Sequence, residues 1–259
     1  MRYIRLLLKL FKYNLKLQMQ YRANFLLSIP MHLSWTIKEV LVVFILYQYT
    51  QSIYGWDKYE FIFLLGTYFL IDSLFSCMLL PNLSNLSQQI QDGTFDHILL
   101  KPIDSQFYTM TYSFNMGVLS ALAVGFFLII YASFHITFSL SPLRILLYVL
   151  LMVSGIIIYA CILFICASLS FKTVKADYIR NIFVGIANIA RKPISIFPKA
   201  IQDILYLIPI AYIAYIPACY YLGKIDIVKC LISFPVSFLF SLICRFIWNR
   251  SVDDYTSIS

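Results

Sequence analysis

Long apolar runs recur along this 259-residue chain and constrain its fold more than any other feature. With 61% hydrophobic and only 12% charged residues, a soluble domain of this length could not bury its apolar surface. The runs are continuous rather than short and alternating, which favours spanning helices over a β-barrel. The clear runs cover residues 25–49, 61–81, 114–134, 143–169 and 225–248. The sequence therefore predicts an all-α polytopic membrane protein with about six transmembrane helices, a single transmembrane domain over residues 1–259.

The N-terminal residues 1–22 combine a regular basic stripe with apolar residues. At 100° per residue, basic side chains spaced by three or four positions fall within one narrow stripe of a helix. No small-residue cleavage site follows, so a signal peptide is not expected. The pattern predicts an interfacial amphipathic helix, its stripe toward anionic lipids and its apolar face in the acyl boundary. The stripe is formed by Arg2, Arg5, Lys9, Lys12 and Lys16.

Residues 82–113 are a long polar stretch between two apolar runs, and we call them the polar island. Loops longer than about a dozen residues are usually functional or disordered, and this one has marks of order. Asp92-Gly93 is typical of a helix end, because Gly tolerates the left-handed conformation that closes a last turn. Thr94 or Asp96 could cap a second short helix, which Pro102 would stop. That helix would lie on the membrane surface or contact a partner protein, with a solvated hairpin as the alternative. Its apolar face would consist of Phe95, Ile98 and Leu99.

Three charged residues fall within the apolar runs. Lys38 and Glu39 lie in the first run, and Asp72 lies at comparable depth in the second. A charge at the centre of a spanning helix costs about 2.5–3.5 kcal/mol, so these side chains should face protein or a water-filled cavity. Adjacent helical residues point about 100° apart, so Lys38 and Glu39 are not expected simply to neutralise each other. We expect a Lys38–Asp72 ion pair between neighbouring spans, with a direct role toward substrate or ion as the alternative.

Lysine and arginine are concentrated near both termini and in residues 170–192, whereas the other loops have one or two each. By the positive-inside rule, both termini and the polar island are expected to be cytoplasmic. The island nevertheless holds Asp92, Asp96 and Asp104 against a single Lys101. Because insertion alone would not shape a cytoplasmic loop so poor in basic residues, we expect it to contact another protein.

The chain shows no pattern for catalysis or for cofactor binding. Its six cysteines lie in or beside apolar runs without a C-x-x-C pair, so buried thiols and no metal site are expected. The net charge of +8 follows membrane topology rather than nucleic-acid binding. There is no G-x-x-x-x-G-K-[ST] loop for ATP and no H-E-x-x-H motif. An intramembrane enzyme, which needs catalytic groups in context, and a non-transporting membrane scaffold are the alternatives to transport.

Three stretches in order resemble the membrane subunits of type-2 ATP-binding-cassette exporters, specifically small six-span permeases encoded apart from their ATPase. Residues 90–107 are similar to the family's pattern after the second span, and read I-Q-D-G-T-F-D-H-I-L-L-K-P-I-D-S-Q-F. Residues 192–218 look like the proline-rich segment between the fifth and sixth spans. Residues 247–259 are similar to a basic tail leading to Tyr and small residues, although Ser251 stands where Gly is expected. With the span count and the basic N-terminal helix, the resemblance covers nearly the whole chain.

The resemblance implies a permease of the plasma membrane that works as a dimer, identical or paralogous, with two cytoplasmic ATPase subunits. The ATPase would bind ATP and Mg²⁺, whereas this chain would bind no cofactor, no metal and no nucleic acid. The loop after span two would form the coupling helix that docks on the ATPase, and the N-terminal helix would be a second contact. A pathway lined by aromatic and aliphatic residues would favour lipid, peptide or amphipathic-drug cargo over small ions. Carried over to this sequence, the coupling residues are Asp92, Gly93, Phe95, Asp96, Leu99, Leu100, Lys101 and Pro102.

Residues 193–222 allow two topologies. Hydropathy alone makes residues 204–221 the fifth span. The resemblance instead makes residues 175–192 the fifth span, although they have little apolar surface, and folds 193–222 into the outer leaflet as short re-entrant helices. Pro209 and Pro217 favour re-entry, because each removes a backbone donor that lipid cannot replace.

Overall fold

The computed structural model describes residues 2–136, 141–172 and 176–255, and these are almost entirely helical. The helices are α1 Arg2–Gln20, α2 Arg22–Tyr49, α3 Lys58–Met78, α4 Leu80–Gln91, α5 Asp96–Leu99, α6 Ser105–Thr111, α7 Leu119–His135, α8 Pro142–Ser168, α9 Ala176–Ala187, α10 Lys199–Leu207, α11 Tyr215–Tyr221, α12 Ile227–Leu231 and α13 Ser233–Asp253. Single 3-10 turns cover Met116–Val118, Leu169–Phe171, Asn188–Arg191, Ile194–Ile196 and Ile210–Tyr212. Two short strands, β1 Ser52–Ile53 and β2 Trp56–Asp57, pair antiparallel with Ile53 opposite Trp56.

Five helical stretches of the described residues are long and apolar enough to cross a membrane. They agree with the five clear apolar runs of the sequence, so the chain is a multi-pass, all-α membrane protein. The sixth predicted span, residues 175–192, contains only α9 and the turn that follows it, which are too short to qualify by length. The five stretches are Arg22–Tyr49, Lys58–Gln91, Met116–His135, Pro142–Phe171 and Ile227–Asp253.

Helix α3 is the centre of the bundle, and most of its residues are buried. It packs along α7 and against α8, which in turn packs on α13. Small residues allow the close approach of α3 and α7: a Cβ added at Gly66 would lie 3.0 Å from the carbonyl oxygen of Gly125. Close backbone contact at small residues is typical of helix packing in membranes, where dispersion replaces the hydrophobic effect.

The β1–β2 hairpin marks one end of the bundle, which we call the hairpin end. Its two-residue turn has positive φ at both Tyr54 (49°) and Gly55 (77°), the twist that suits a tight hairpin. The Trp56 indole donates a hydrogen bond to Ser195 Oγ at 3.1 Å, and Lys224 Nζ donates one to the Gly55 carbonyl at 2.7 Å. Residues flanking both ends of the 193–222 segment therefore lie at the hairpin end.

Residues 204–221 do not form one continuous helix, so their assignment by hydropathy alone as a span is wrong. Helix α10 ends at Leu207, a 3-10 turn follows Pro209, and α11 begins only at Tyr215. The break is consistent with the missing amide donor of Pro209. Helix α11 packs on α3 and α8 instead of standing alone in lipid.

Helix α1 keeps its basic stripe exposed but buries part of its apolar face against the protein. Arg5, Lys9, Lys12 and Lys16 are exposed, whereas the side chain of Arg2 lies outside the described residues. The apolar face is predicted to lie in the acyl boundary, but three of its residues pack beside Phe114, with the centroids of the Phe11 and Phe114 rings 5.6 Å apart. The three packed residues are Leu7, Leu10 and Phe11.

Candidate functional site

The polar island folds into three helices, α4, α5 and α6, at the end of the bundle opposite the hairpin. The predicted helix end is confirmed: α4 stops at Gln91, and Gly93 has a φ of 69°. The predicted side-chain cap of the second helix is wrong, because Phe95 occupies the N-cap position of α5 without a capping hydrogen bond. Thr94 Oγ1 instead lies 3.4 Å from the carbonyl oxygen of Gln89 in the preceding helix.

Two buried asparagines fix the segment between α6 and α7. Asn82 Nδ2 donates to the carbonyl oxygens of Met110 at 3.0 Å and Ser113 at 2.9 Å, and its Oδ1 accepts from the Ser113 amide at 2.9 Å. Asn14 of α1 donates through Nδ2 to the Tyr112 carbonyl oxygen at 3.0 Å. These bonds satisfy backbone groups that regular helix leaves open and attach the island to α1.

Helix α13 holds the other side of the island. Arg245 forms a salt bridge with Asp104 (Nη2 to Oδ2, 2.6 Å) and donates through Nη1 to Gln106 Oε1 at 2.9 Å. Trp248 Nε1 donates to Ser105 Oγ at 3.1 Å. Partial burial alone would raise the pKa of Asp104, but hydrogen bonds from Arg245 and from the Phe107 amide, with the charge of Arg245, lower it below its ordinary value.

The predicted apolar face of α5 is turned inward rather than outward. Phe95 is fully buried, with its ring centroid 5.2 Å from Phe171, 5.5 Å from Tyr255 and 6.0 Å from Trp248. Ile98 is also buried. Phe95 therefore anchors the island to the ends of α8 and α13 and is not part of a surface open to another protein.

The surface that remains is residues 91–102, which we call the exposed tip. Leu100 is 82% exposed and Leu99 38%, so the tip presents two leucines on the surface. Lys101 is partly withdrawn, because its Nζ lies 3.8 Å from the Tyr108 ring centroid and bonds to the Tyr108 hydroxyl. Of the predicted coupling residues, Asp92, Leu99, Leu100 and Pro102 are exposed, and Gly93, Asp96 and Lys101 are partly exposed.

The charges within the spans pair differently from the prediction. Glu39 Oε1 lies 3.2 Å from Lys38 Nζ and 3.1 Å from Arg191 Nη1. The long Lys38 side chain bends to its sequence neighbour, so the expectation that adjacent residues would not pair is wrong. The predicted Lys38–Asp72 ion pair is wrong as well. Asp72 Oδ1 instead lies 3.3 Å from the Tyr159 hydroxyl and 3.4 Å from the Tyr68 hydroxyl.

Glu39, Asp72 and Arg191 line a cavity of about 430 Å³ between α2, α3 and the turns at 116–118 and 188–191. Its wall combines polar groups with the aromatic rings of Trp35, Tyr68 and Phe69 and a few aliphatic side chains. The Tyr68 hydroxyl of α3 donates a hydrogen bond to Asn188 Oδ1 at 2.9 Å, and this connects α3 to the turn at 188–191. The residues that carry its chemistry are Trp35, Glu39, Tyr68, Asp72, Asn188 and Arg191.

The side-chain contacts of the candidate residues could not be predicted from the sequence, although the segments that contain these residues could. Arg191 and Tyr159 approach Glu39 and Asp72 from distant parts of the chain, and no local spacing indicates such contacts. Arg245 likewise contacts Asp104, which is 141 residues away in the sequence. Asn14 carried a usable signal, because a lone amide on the side of α1 away from the basic stripe needs a buried partner.

Comparison with protein families assigns most of the chain to a family. A family model described as an ABC-2 family transporter protein matches residues 33–259. The matched range contains the island, the cavity and most of the apolar helices, and it begins within α2, so α1 lies outside it. No curated protein and no solved structure gives a significant match.

Proposed function

The chain belongs to the ABC-2 family of transporter proteins, and from this membership we propose that it is the permease subunit of an ATP-driven exporter. It would form the translocation pathway as a dimer, and a separate cytoplasmic ATPase would bind ATP and Mg²⁺. The observation that supports this most directly is the polar island. It is an ordered element at one end of the bundle that is attached to several helices and leaves an apolar tip exposed.

We place a sixth crossing between residues 172 and 195. Lys172 lies 3.6 Å from Asp254 at the island end, whereas Ser195 bonds to Trp56 at the hairpin end. Helix α9 and the turn Asn188–Arg191 occupy the interval. This arrangement supports the fifth span at 175–192 and the folding of residues 193–222 as short re-entrant helices in the leaflet at the hairpin end.

We place the island end in the cytoplasm, together with both termini. The basic residues Lys9, Lys12 and Lys16 are exposed on α1 at this end, in agreement with the positive-inside rule. With α1 at the membrane surface, its basic stripe would face anionic headgroups of the cytoplasmic leaflet. The hairpin and the re-entrant helices would then lie toward the outside.

In this proposal the exposed tip is the contact with the ATPase. ATP-driven movement of the ATPase would push on the tip, and the island would pass the movement to α1 through Asn14 and to α13 through Arg245 and Trp248. The buried ring of Phe95 makes the tip and the end of α13 one packed unit. A rigid unit of this kind transmits a displacement better than a solvated loop would.

A second permease would cover part of α2. This helix buries only Thr36 and Val43, and the Lys38 side chain is 52% exposed although it lies near the middle of a 28-residue span. A lysine facing hydrocarbon at that depth costs about 2.5–3.5 kcal/mol, so a protein or aqueous neighbour is favoured. A dimer of permeases would supply that neighbour.

Affinity purification of the tagged permease from its own membranes tests the proposal. We expect an ATP-binding subunit to copurify and Leu100→Asp to abolish its recovery, because a carboxylate would replace an apolar docking side chain. The matched control is Tyr54→Asp, which puts the same charge at the hairpin end, where positive φ is compatible with Asp. Recovery of the ATPase with Leu100→Asp, or its absence with the unmodified chain, would contradict the proposal.

A further inference from the structure

The carboxylate of Asp72 is poorly satisfied by its neighbours. A tyrosine hydroxyl has one proton, and that of Tyr68 lies closer to Asn188 Oδ1 (2.9 Å) than to Asp72 Oδ1 (3.4 Å). Asp72 is then left with one long hydrogen bond, from Tyr159 at 3.3 Å. Both hydroxyls approach Oδ1, and no hydrogen bond to Oδ2 occurs among the side chains that the structure describes, those of residues 3–136, 141–172, 178–179 and 181–255.

Arg191 also lines the cavity, but its salt bridge is with Glu39 and not with Asp72. Lys38 and Arg191 both bind Glu39, so two cations share one carboxylate while Asp72 has no salt bridge in the described part of the chain. An ionised carboxylate at membrane depth needs a counter-ion or several strong hydrogen bonds. The geometry therefore leaves a place for a positive charge next to Asp72.

The walls around Asp72 also suit an organic cation. Trp35, Tyr68 and Phe69 present aromatic rings to the cavity, and the Trp35 ring already holds an ammonium, that of Lys38, 4.1 Å from its centroid. Aromatic rings attract cations through their negative faces, and the attraction strengthens away from bulk water. The volume of about 430 Å³ admits a group much larger than a metal ion.

We propose that this cavity binds the positively charged end of an amphipathic organic cation, with Asp72 as its counter-ion. The inference rests on the proposed permease function and narrows its cargo from lipid, peptide or drug to molecules bearing a cationic group. The apolar part of such a molecule would lie along the exposed face of α2. Glu39 is less suited to this role, because Lys38 and Arg191 already neutralise it.

Equilibrium binding of tetraphenylphosphonium to the purified permease in lipid nanodiscs tests the inference. Tetraphenylborate has nearly the same shape and the opposite charge. Comparing the two ions therefore separates recognition of charge from hydrophobic partitioning. We expect saturable binding of the cation and at least about tenfold weaker binding to Asp72→Asn, because a charge-assisted contact is lost. Asp72→Glu should recover much of the affinity, since it keeps the charge.

Asp253→Asn is the matched control, because it removes an exposed carboxylate far from the cavity. Tyr159→Phe is a second variant, which keeps the carboxylate and removes one of its hydrogen bonds; it should bind the cation at least as tightly as the unmodified chain. This variant keeps the inference testable if Asp72→Asn fails to fold. Equal cation affinity of Asp72→Asn and the unmodified chain, loss of binding in Tyr159→Phe, or tetraphenylborate binding that depends on Asp72 would overturn the inference.

Two further comparisons distinguish a lipid headgroup from a free molecule as the cation, and failure of the cation site from failure of the permease assignment. Adding phosphatidylethanolamine to phosphatidylglycerol nanodiscs should reduce tetraphenylphosphonium binding if the natural cation is a lipid headgroup, and leave it unchanged if it is a free molecule. Binding is measured without the ATPase, so its loss contradicts only the cation site. Failure of the ATPase to copurify contradicts only the permease assignment.

Discussion

Asp104 and Arg245 join the island to α13 through one salt bridge. The side chains are 30% and 47% exposed, so solvent screens the pair and its contribution to stability is at most about 1 kcal/mol. The role of the pair is therefore positional: with Gln106 and Ser105 it fixes where α6 lies on α13. Asn82 fixes the opposite side of the same helix from within α4.

The stability that Asp104 contributes should depend on pH. Its pKa is lower in the folded protein than in an unfolded chain, so its ionised form stabilises the fold above the unfolded value of about 3.9. That stabilisation disappears as pH falls through the lower, folded value. Thermal unfolding should find Asp104→Asn less stable than the unmodified chain at pH 5–7 and the difference closing below about pH 4. Asp203→Asn is the exposed control, and a difference that does not shrink as pH falls below about 4 would contradict the prediction.

Glu39 and Arg191 should be energetically coupled, whereas Lys38 and Asp72 should not. Residues in direct contact show interaction energies of about 0.5–3 kcal/mol in double-mutant cycles, and the Glu39–Arg191 pair is mostly buried. We expect Glu39→Gln with Arg191→Gln to be clearly non-additive in chemical unfolding. Lys38→Ala with Asp72→Ala should be additive, since the two side chains are not paired in the structure. Additivity of the first pair, or coupling in the second, would contradict the observed network.

At the scale of elements, the fold departs most from simple hydropathy in residues 193–222. Of the four short helical pieces there, α11 packs on α3 and α8, and the turn Ile210–Tyr212 packs on α8. At Gly155 of α8 the approach is close, because an added Cβ would meet the carbonyl oxygen of Ile213 at 2.3 Å. The backbone of this segment is thus seated directly on a spanning helix.

Gly155→Ala should displace the segment. Because the obstructing atoms are backbone and cannot rotate away, we expect a loss of about 1–3 kcal/mol in the free energy of unfolding, as for overpacked cores. Gly185→Ala is the matched control within a helix, since nothing lies within 4 Å of its added Cβ. It should be neutral or stabilising by up to about 1 kcal/mol, through helix propensity. Equal stability of the two variants would show that the contact at Gly155 is not close.

Re-entry can be tested at Lys199, which is exposed at the start of α10. A single cysteine there, in a background without the six native cysteines, should react with a membrane-impermeant thiol reagent added to intact cells. The native thiols are all buried, so replacing them by small apolar residues is a modest change. Reaction only after the cytoplasmic face is opened would contradict an outer position of the segment.

The sequence predicted those elements whose cause is local and left out those that depend on distant partners. Apolar runs of spanning length and the Asp92-Gly93 helix end follow from nearby residues, and both are found. The inward turn of Phe95 depends on Phe171 and Trp248, which are distant in sequence, so amphipathic spacing alone pointed it outward. The same reason explains the wrong partner for Asp72, because Tyr159 is 87 residues away.

At the scale of the whole molecule, the proposed function depends on three regions: the exposed tip, the packed unit that connects it to α13, and the cavity beside α3. Glu39 and Asn188 connect the cavity to α2 and to the turn that precedes residues 193–222. A movement of α13 or α1 driven at the tip would reach the bundle through these packed helices. The central claim is that the tip is where a separate ATPase binds.

Site-specific photo-crosslinking tests that claim most directly. Leu100 at the tip and Leu207 in α10 are 82% and 81% exposed, so a benzoylphenylalanine at either position has the same access to a neighbour. In native membranes, the account predicts a covalent adduct with an ATP-binding subunit from position 100 and none from position 207. An adduct with that subunit from position 207 would contradict the claim. So would the absence of this adduct from position 100 while the subunit copurifies.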